Sequence, residues 1–213
     1  MNQSFTFHKT ALLAVCGALL QLSAQAQVTN DTGIVEITGQ ISPTTCILNM
    51  ADTAGGTNTA TNKTMDLGNT KSGSGTITAG SLFGQAKTVV FSLSSTSNAT
   101  APCTAGAGNT GWNVILGFAP GSVTTIGTKT YVKNQTTTGG TNAVVALSDA
   151  TVGTTTTQLT LKETMGYTGT TVTATNQAFG KTITLQAQLA HATAAAATAG
   201  AFNATIPLLV LYK

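Results

Sequence analysis

The apolar residues of this chain come in short runs, and stretches rich in Thr and Gly separate them. The runs fall at 33–41, 64–67, 87–95, 112–118, 143–148, 158–162, 182–190 and 201–212. Several of them alternate apolar and polar side chains, the period of a strand with one buried face. Many short strands at such spacing, punctuated by turn residues, predict an all-β sandwich. Thr makes up about a fifth of the chain and favours strands. Residues 192–199 (ATAAAATA) are helical by propensity, but between two strand-like runs they read as a loop or strand edge.

The first 26 residues read as a separate unit. A polar start carrying Lys9 leads into the apolar run Ala11 to Leu22 and then Ala24-Gln25-Ala26, the small-x-small pattern that signal peptidase reads. The apolar run is well short of the roughly 20 residues that span a bilayer. Cleavage after Ala26 is expected, leaving a mature chain from Gln27. Of the three cysteines, Cys16 leaves with the leader. Cys46 and Cys103 remain, and an even pair in an exported protein reads as a disulfide, with two free buried thiols as the alternative.

Charge is scarce. Only 7% of residues are charged, against about a quarter in a typical soluble domain. There is no Arg, and the mature chain carries eight Lys against six acids. That balance is too weak and scattered for a nucleic-acid partner. Catalytic chemistry is equally poorly provided for. The mature chain has one His, His191, expected to be a surface or satisfied residue. The acids Asp31, Glu36, Asp52, Asp66, Asp149 and Glu163 show no paired spacing for acid–base work. No nucleophile elbow, zinc-protease or phosphate-loop pattern occurs. Gly73-Ser74-Gly75 reads as a turn, and Trp112 as a core residue. No enzyme and no cofactor are expected.

The run from Phe202 to Tyr212 does not fit a self-sufficient sandwich. Its even positions, Phe202, Ala204, Ile206, Leu208, Val210 and Tyr212, form one apolar face, and Leu209 and Leu211 make the other face apolar near the end. An edge of this kind invites pairing with another chain. At the other end of the mature chain, a polar leader precedes the alternating segment 33–41. An open apolar edge and a free strand in one molecule suggest head-to-tail assembly, which need not close and so builds a filament.

These residues bear a family resemblance. Gly33-x-Val35-x-Ile37-x-Gly39-x-Ile41 followed by Thr45-Cys46, then Met65-Asp66-Leu67-Gly68, then Val90-Phe91-Ser92-Leu93 leading to Cys103, resemble the chaperone–usher pilins of type 1 and P fimbriae. So does the end of the chain, with Tyr212 penultimate and Gly200 fourteenth from the C-terminus. The resemblance implies an incomplete immunoglobulin-like β-sandwich lacking its final strand, spanning 41–213, with 27–40 as an N-terminal donor-strand extension that serves the next subunit. Asp31, Gly33, Val35, Ile37 and Gly39 would be the donor positions. Gly200, Phe202, Ala204, Ile206, Leu208, Val210 and Tyr212 would receive a periplasmic chaperone and later a neighbour's donor strand. The groove would lie beside Ile41 to Cys46 and the last strand. The implied partners are identical or related pilin subunits, the chaperone and an outer-membrane usher. The implied place is a fimbria outside a Gram-negative cell, reached through the periplasm, and the implied role is structural, supporting cell adhesion. A minor pilin, adaptor or adhesive subunit of the same fimbria is the alternative. Residues 119–142 are an expanded stretch with no strand assigned.

Overall fold

Alternation with a period of two puts one row of apolar side chains on one face of each strand. Two such faces bury one another in this protein. The computed structural model describes residues 33–40, 46–52, 62–68, 76–95, 103–104, 108–151, 155–164 and 168–213. The expected leader, Asp31, Ile41, the stretch 53–61, Gly73-Ser74-Gly75 and residues 96–102 lie outside them.

Twelve strands are described: β1 (Gly33–Gln40), β2 (Cys46–Ala51), β3 (Asn62–Asp66), β4 (Leu82–Ser95), β5 (Trp112–Leu116), β6 (Val123–Ile126), β7 (Lys129–Lys133), β8 (Val144–Asp149), β9 (Thr157–Gln158), β10 (Thr170–Thr171), β11 (Ile183–Ala190) and β12 (Phe202–Tyr212). One sheet runs β10-β5-β12-β1-β3. The other runs β2-β4-β11-β8-β7-β6, with β9 also on β8. The all-β, two-sheet expectation therefore holds. No helix among the described residues is long and apolar enough to cross a membrane.

The core lies between the sheets. Val35 and Ile37, Val114 and Leu116, and Phe202 through Val210 at alternate positions face it from the first sheet. Leu48 and Met50, Val89, Phe91 and Leu93, Val145 and Leu147, and Ile183, Leu185, Ala187 and Leu189 face it from the second. Trp112 is fully buried in this core, as its place at the head of a strand suggested. Outside the second sheet, Tyr131, Val144, Ala146 and Ala190 form a small satellite cluster. The turn before β4 covers it, and the Tyr131 hydroxyl donates to the Gly80 carbonyl at 3.2 Å.

Three strand assignments need correcting. The stretch 119–142 holds the hairpin β6–β7, whose two strands pair Val123 with Val132 and Ile126 with Lys129. Thr, Lys and Gly dilute its apolar pattern, so periodicity alone passes over it. β10 is only two residues long, too short to show a period. The described strand at Cys46 runs onward to Ala51 and pairs with β4 in the second sheet. The stretch 192–199 is loop, because it links two strands that belong to opposite sheets.

Candidate functional site

The candidate site is the seat of β1. β1 lies between β12 and β3, parallel to the first and antiparallel to the second. Its pairing with β12 runs from Gly33 opposite Phe202 to Gln40 opposite Leu209. Against β3, Ile34 faces Asp66 and Thr38 faces Asn62. Val35 and Ile37 point inward and are fully buried. Around them lie Met65 and Leu67 on the β3 side, and the inward row of β12.

Two placements bear on the expected groove. Residues 33–40 are a strand of their own chain's sheet, because their alternating face matches an apolar slot that no other described element fills. The slot's second wall is β3; of the expected wall, 41–45 lie outside the described residues, and Cys46 begins a strand of the opposite sheet. Of the donor positions, Val35 and Ile37 face the core, Gly33 and Gly39 stand opposite Phe202 and Leu208, and Asp31 lies outside the described residues.

β12 shows why this edge differs from its other one. On the far side, residues 208–212 pair with β5. Next along, the Pro207 carbonyl accepts from Gly117 N–H at 2.8 Å. N–H and C=O of one strand residue point the same way, so the donor that Pro207 lacks is missing on the β5 side and the β1-facing ladder is intact. Further up, side chains take over. Asn134 Oδ1 accepts from Asn203 N–H at 2.9 Å, Asn134 Nδ2 donates to the Ala201 carbonyl at 2.8 Å, and Gln135 Oε1 accepts from Thr205 N–H at 3.1 Å. One edge of β12 is thus closed by fixed parts of the chain, and the other is closed by β1.

The even-numbered side chains of β12 sit beneath this ladder in the core. Phe202, Ala204, Ile206, Leu208 and Val210 are buried. Tyr212 is half-buried and stacks on Phe179, with ring centroids 6.2 Å apart. Leu209 and Leu211, on the outer face, are half-buried. Gly200 has a structural reason of its own. Its φ is 146°, and a Cβ there would run into the Gly139 carbonyl and the backbone of Gly140 and Thr141.

Cys46 and Cys103 are joined in a disulfide with Cα atoms 5.6 Å apart. It ties the start of β2 to the segment that follows β4, where Cys103 N–H donates to the Leu93 carbonyl at 3.1 Å. The bridge anchors the start of an edge strand of the second sheet. His191 departs from expectation. It is 3% exposed, its ring lies 4.4 Å from that of Phe83, and its Nδ1 has no hydrogen-bond partner among the described residues. Among those residues, no three His, Cys, Asp or Glu side chains cluster as metal ligands. The Asn134 staple and the β3 wall are what the sequence reading missed. Nothing local in a sequence announces the contact of Asn134 with Ala201, 67 residues away.

No family model matches the chain, and no curated protein matches it.

Proposed function

We propose that this chain is a structural subunit of a bacterial fimbria, a pilin of the chaperone–usher type that polymerises by strand exchange. In this reading the two sheets form an immunoglobulin-like sandwich whose last strand is not built in but borrowed. The observation that carries it is the seat of β1. A strand that precedes every other described element completes the sheet along the one edge of β12 that no fixed element closes. Strand addition of this kind draws affinity from the main-chain ladder and specificity from alternate side chains in pockets, here Val35 and Ile37. The same segment of one subunit could fill the slot of the next.

The proposal accounts for the implied partners. With β1 withdrawn, β12 would present an unpaired edge above an uncovered core, which is an aggregation hazard. A periplasmic chaperone would cap that edge, and an outer-membrane usher would exchange the cap for the next subunit's segment 27–40. Export is supported by the leader pattern at 1–26. The mature product is placed in a filament outside the cell.

The test is electron microscopy of cells producing the chain together with a chaperone and usher. The intact chain should give surface fibres that label with antibody to it. A chain lacking residues 27–40 should be exported and bound by the chaperone yet give none. Equal fibre yield from both chains would sink the proposal.

A further inference from the structure

A second site lies at the far end of the sandwich, where the ends of β8 and β9 in one sheet stand across from β10 in the other. A cleft of about 470 Å³ opens there. That is within the roughly 300–1,000 Å³ of ordinary small-molecule sites. Its floor is apolar: Val172 is fully buried, and Leu159 packs against the core. Its rim carries the exposed side chains of Thr155, Thr160, Thr171, Thr175 and Lys162.

The residue that gives this cleft meaning is Asp149. On β8 the inward positions alternate as Val145, Leu147 and Asp149, and the first two are core residues. The third inward position is therefore a carboxylate, 8% exposed, in a chain with only six acids after its leader. A carboxylate on the core-facing side of a strand is costly unless its oxygens are partnered. Oδ1 accepts from Thr151 N–H at 3.0 Å, a local turn contact. Oδ2 accepts no hydrogen bond from the described residues, and Asp149 is part of the cleft lining. Among those residues the one ion pair is Lys63 with Asp52, so neither Asp149 nor Lys162 is neutralised by a salt bridge.

Two hydrogen bonds tie the segment that follows β9 to β10. Lys162 N–H donates to Thr170 Oγ1 at 2.9 Å, and that hydroxyl reaches the Thr160 carbonyl at 3.4 Å. The site is therefore pre-formed, which reduces the ordering cost of binding.

We propose that this cleft binds a neutral saccharide unit. An inward carboxylate oxygen accepts from a pair of sugar hydroxyls, a rim of threonine hydroxyls both donates and accepts, and the apolar floor takes the C–H face of the ring. One Lys beside one Asp gives no net charge to select an ionic ligand. The described lining contains no aromatic platform, so a single site binds weakly, in the millimolar range. Copies repeated along a polymer would raise the avidity. The inference does not rest on strand exchange, and its test uses the unpolymerised chain.

The experiment is amide-resolved NMR titration of the oxidised chain with glucose, galactose, mannose and N-acetylglucosamine, each in turn. At least one should shift amides in 157–162 and 169–175 saturably. Asp149→Asn should weaken that binding about tenfold, as expected for loss of a charged hydrogen-bond acceptor. Lys162→Ala and Thr171→Val, both on the exposed rim, should weaken it several-fold with the unfolding midpoint unchanged. They carry the test if Asp149→Asn fails to fold. No saturable shift with any sugar overturns the proposal. So do shifts elsewhere, shifts unaffected by the rim variants, or a cleft that responds to calcium chloride alone.

Discussion

Two residues carry more than their size suggests. Gly200 holds a backbone conformation that L side chains rarely adopt, against a wall of main chain from 139–141. Gly200→Ala should therefore cost about 2 kcal/mol in the isolated chain. Urea unfolding without any partner protein would show it. An unchanged midpoint would mean that Gly200 matters only for recognition, as the family resemblance implies. Glu163 is the second. Its carboxylate accepts from Val123 N–H at 3.0 Å and so anchors β6. Hydrogen bonds from the Val123 and Gly121 backbones, with a smaller contribution from Lys133, hold its pKa below the usual carboxylate value. A group whose pKa is lower folded than unfolded stabilises the fold above its unfolded pKa. That contribution fades as pH falls through the folded value. Glu163→Gln should thus unfold at a lower urea midpoint than the parent at neutral pH, and the two should converge in acid. A constant gap across the pH range would show that the charge is not what anchors β6.

Among the elements, β1 is where sequence and structure divide most usefully. Its alternation is plain in Gly33 to Gly39, and so is the inward pair Val35 and Ile37. What alternation cannot say is which chain's core the pair enters. A two-residue period fixes the face of a strand and leaves its neighbours open. The same limit applied at β3, whose role as groove wall depends on pairings with β1 rather than on anything in Asn62 to Asp66. By contrast β4, β8, β11 and β12 were legible because each carries several strongly apolar inward residues in strict alternation. The disulfide was legible because Cys16 falls in the expected leader, which leaves Cys46 and Cys103 as an even pair. At the second site, Asp149 was read only as an unpaired acid, since its inward aim appears once β8 is in register with β11. The placement of β1 has a measurable consequence. Ile37→Ala should destabilise the monomer by about 2–5 kcal/mol, as for other fully buried large aliphatics. Removing 27–40 should do more, and a synthetic 27–40 peptide should restore the melting temperature. A truncated chain that melts like the intact one would show that β1 does not belong to its own domain's stability.

At the scale of the whole molecule, two closures join distant parts of the chain. The disulfide spans 57 residues and encloses β2, β3 and β4, strands from both sheets. In the chain-entropy model it contributes about 4 kcal/mol. Reduction should therefore lower the urea midpoint by about 2 M, given slopes of roughly 1–3 kcal/mol per molar. A shift within error would mean that the reduced unfolded chain keeps its own local order.

The second closure, β1 onto β12, pairs the first described strand with the last, Gly33 with Phe202. Pairings so far apart in sequence form late, because loop entropy must be met before the contact rewards it. Until then the slot is open. Two strands can then enter it: the chain's own, or another molecule's. Only residues 41–45 separate β1 from β2, so the chain's own strand acts at the millimolar effective concentration typical of a short tether. At micromolar protein the own strand should win by about a thousandfold, and dilute refolding should give monomer. Near millimolar protein the two should compete, and native gels should show a ladder of linear species. If the chain polymerises as proposed, the same arithmetic requires a partner that holds the slot against self-insertion until a neighbour arrives. The decisive measurement is refolding of the oxidised chain over that concentration range, beside the chain lacking 27–40. A ladder that rises with concentration for the intact chain, and is absent for the truncated one, is the expected result. A ladder independent of concentration, or equally strong without 27–40, would mean that the molecules associate through some other surface and that β1 is simply a strand of a closed sandwich.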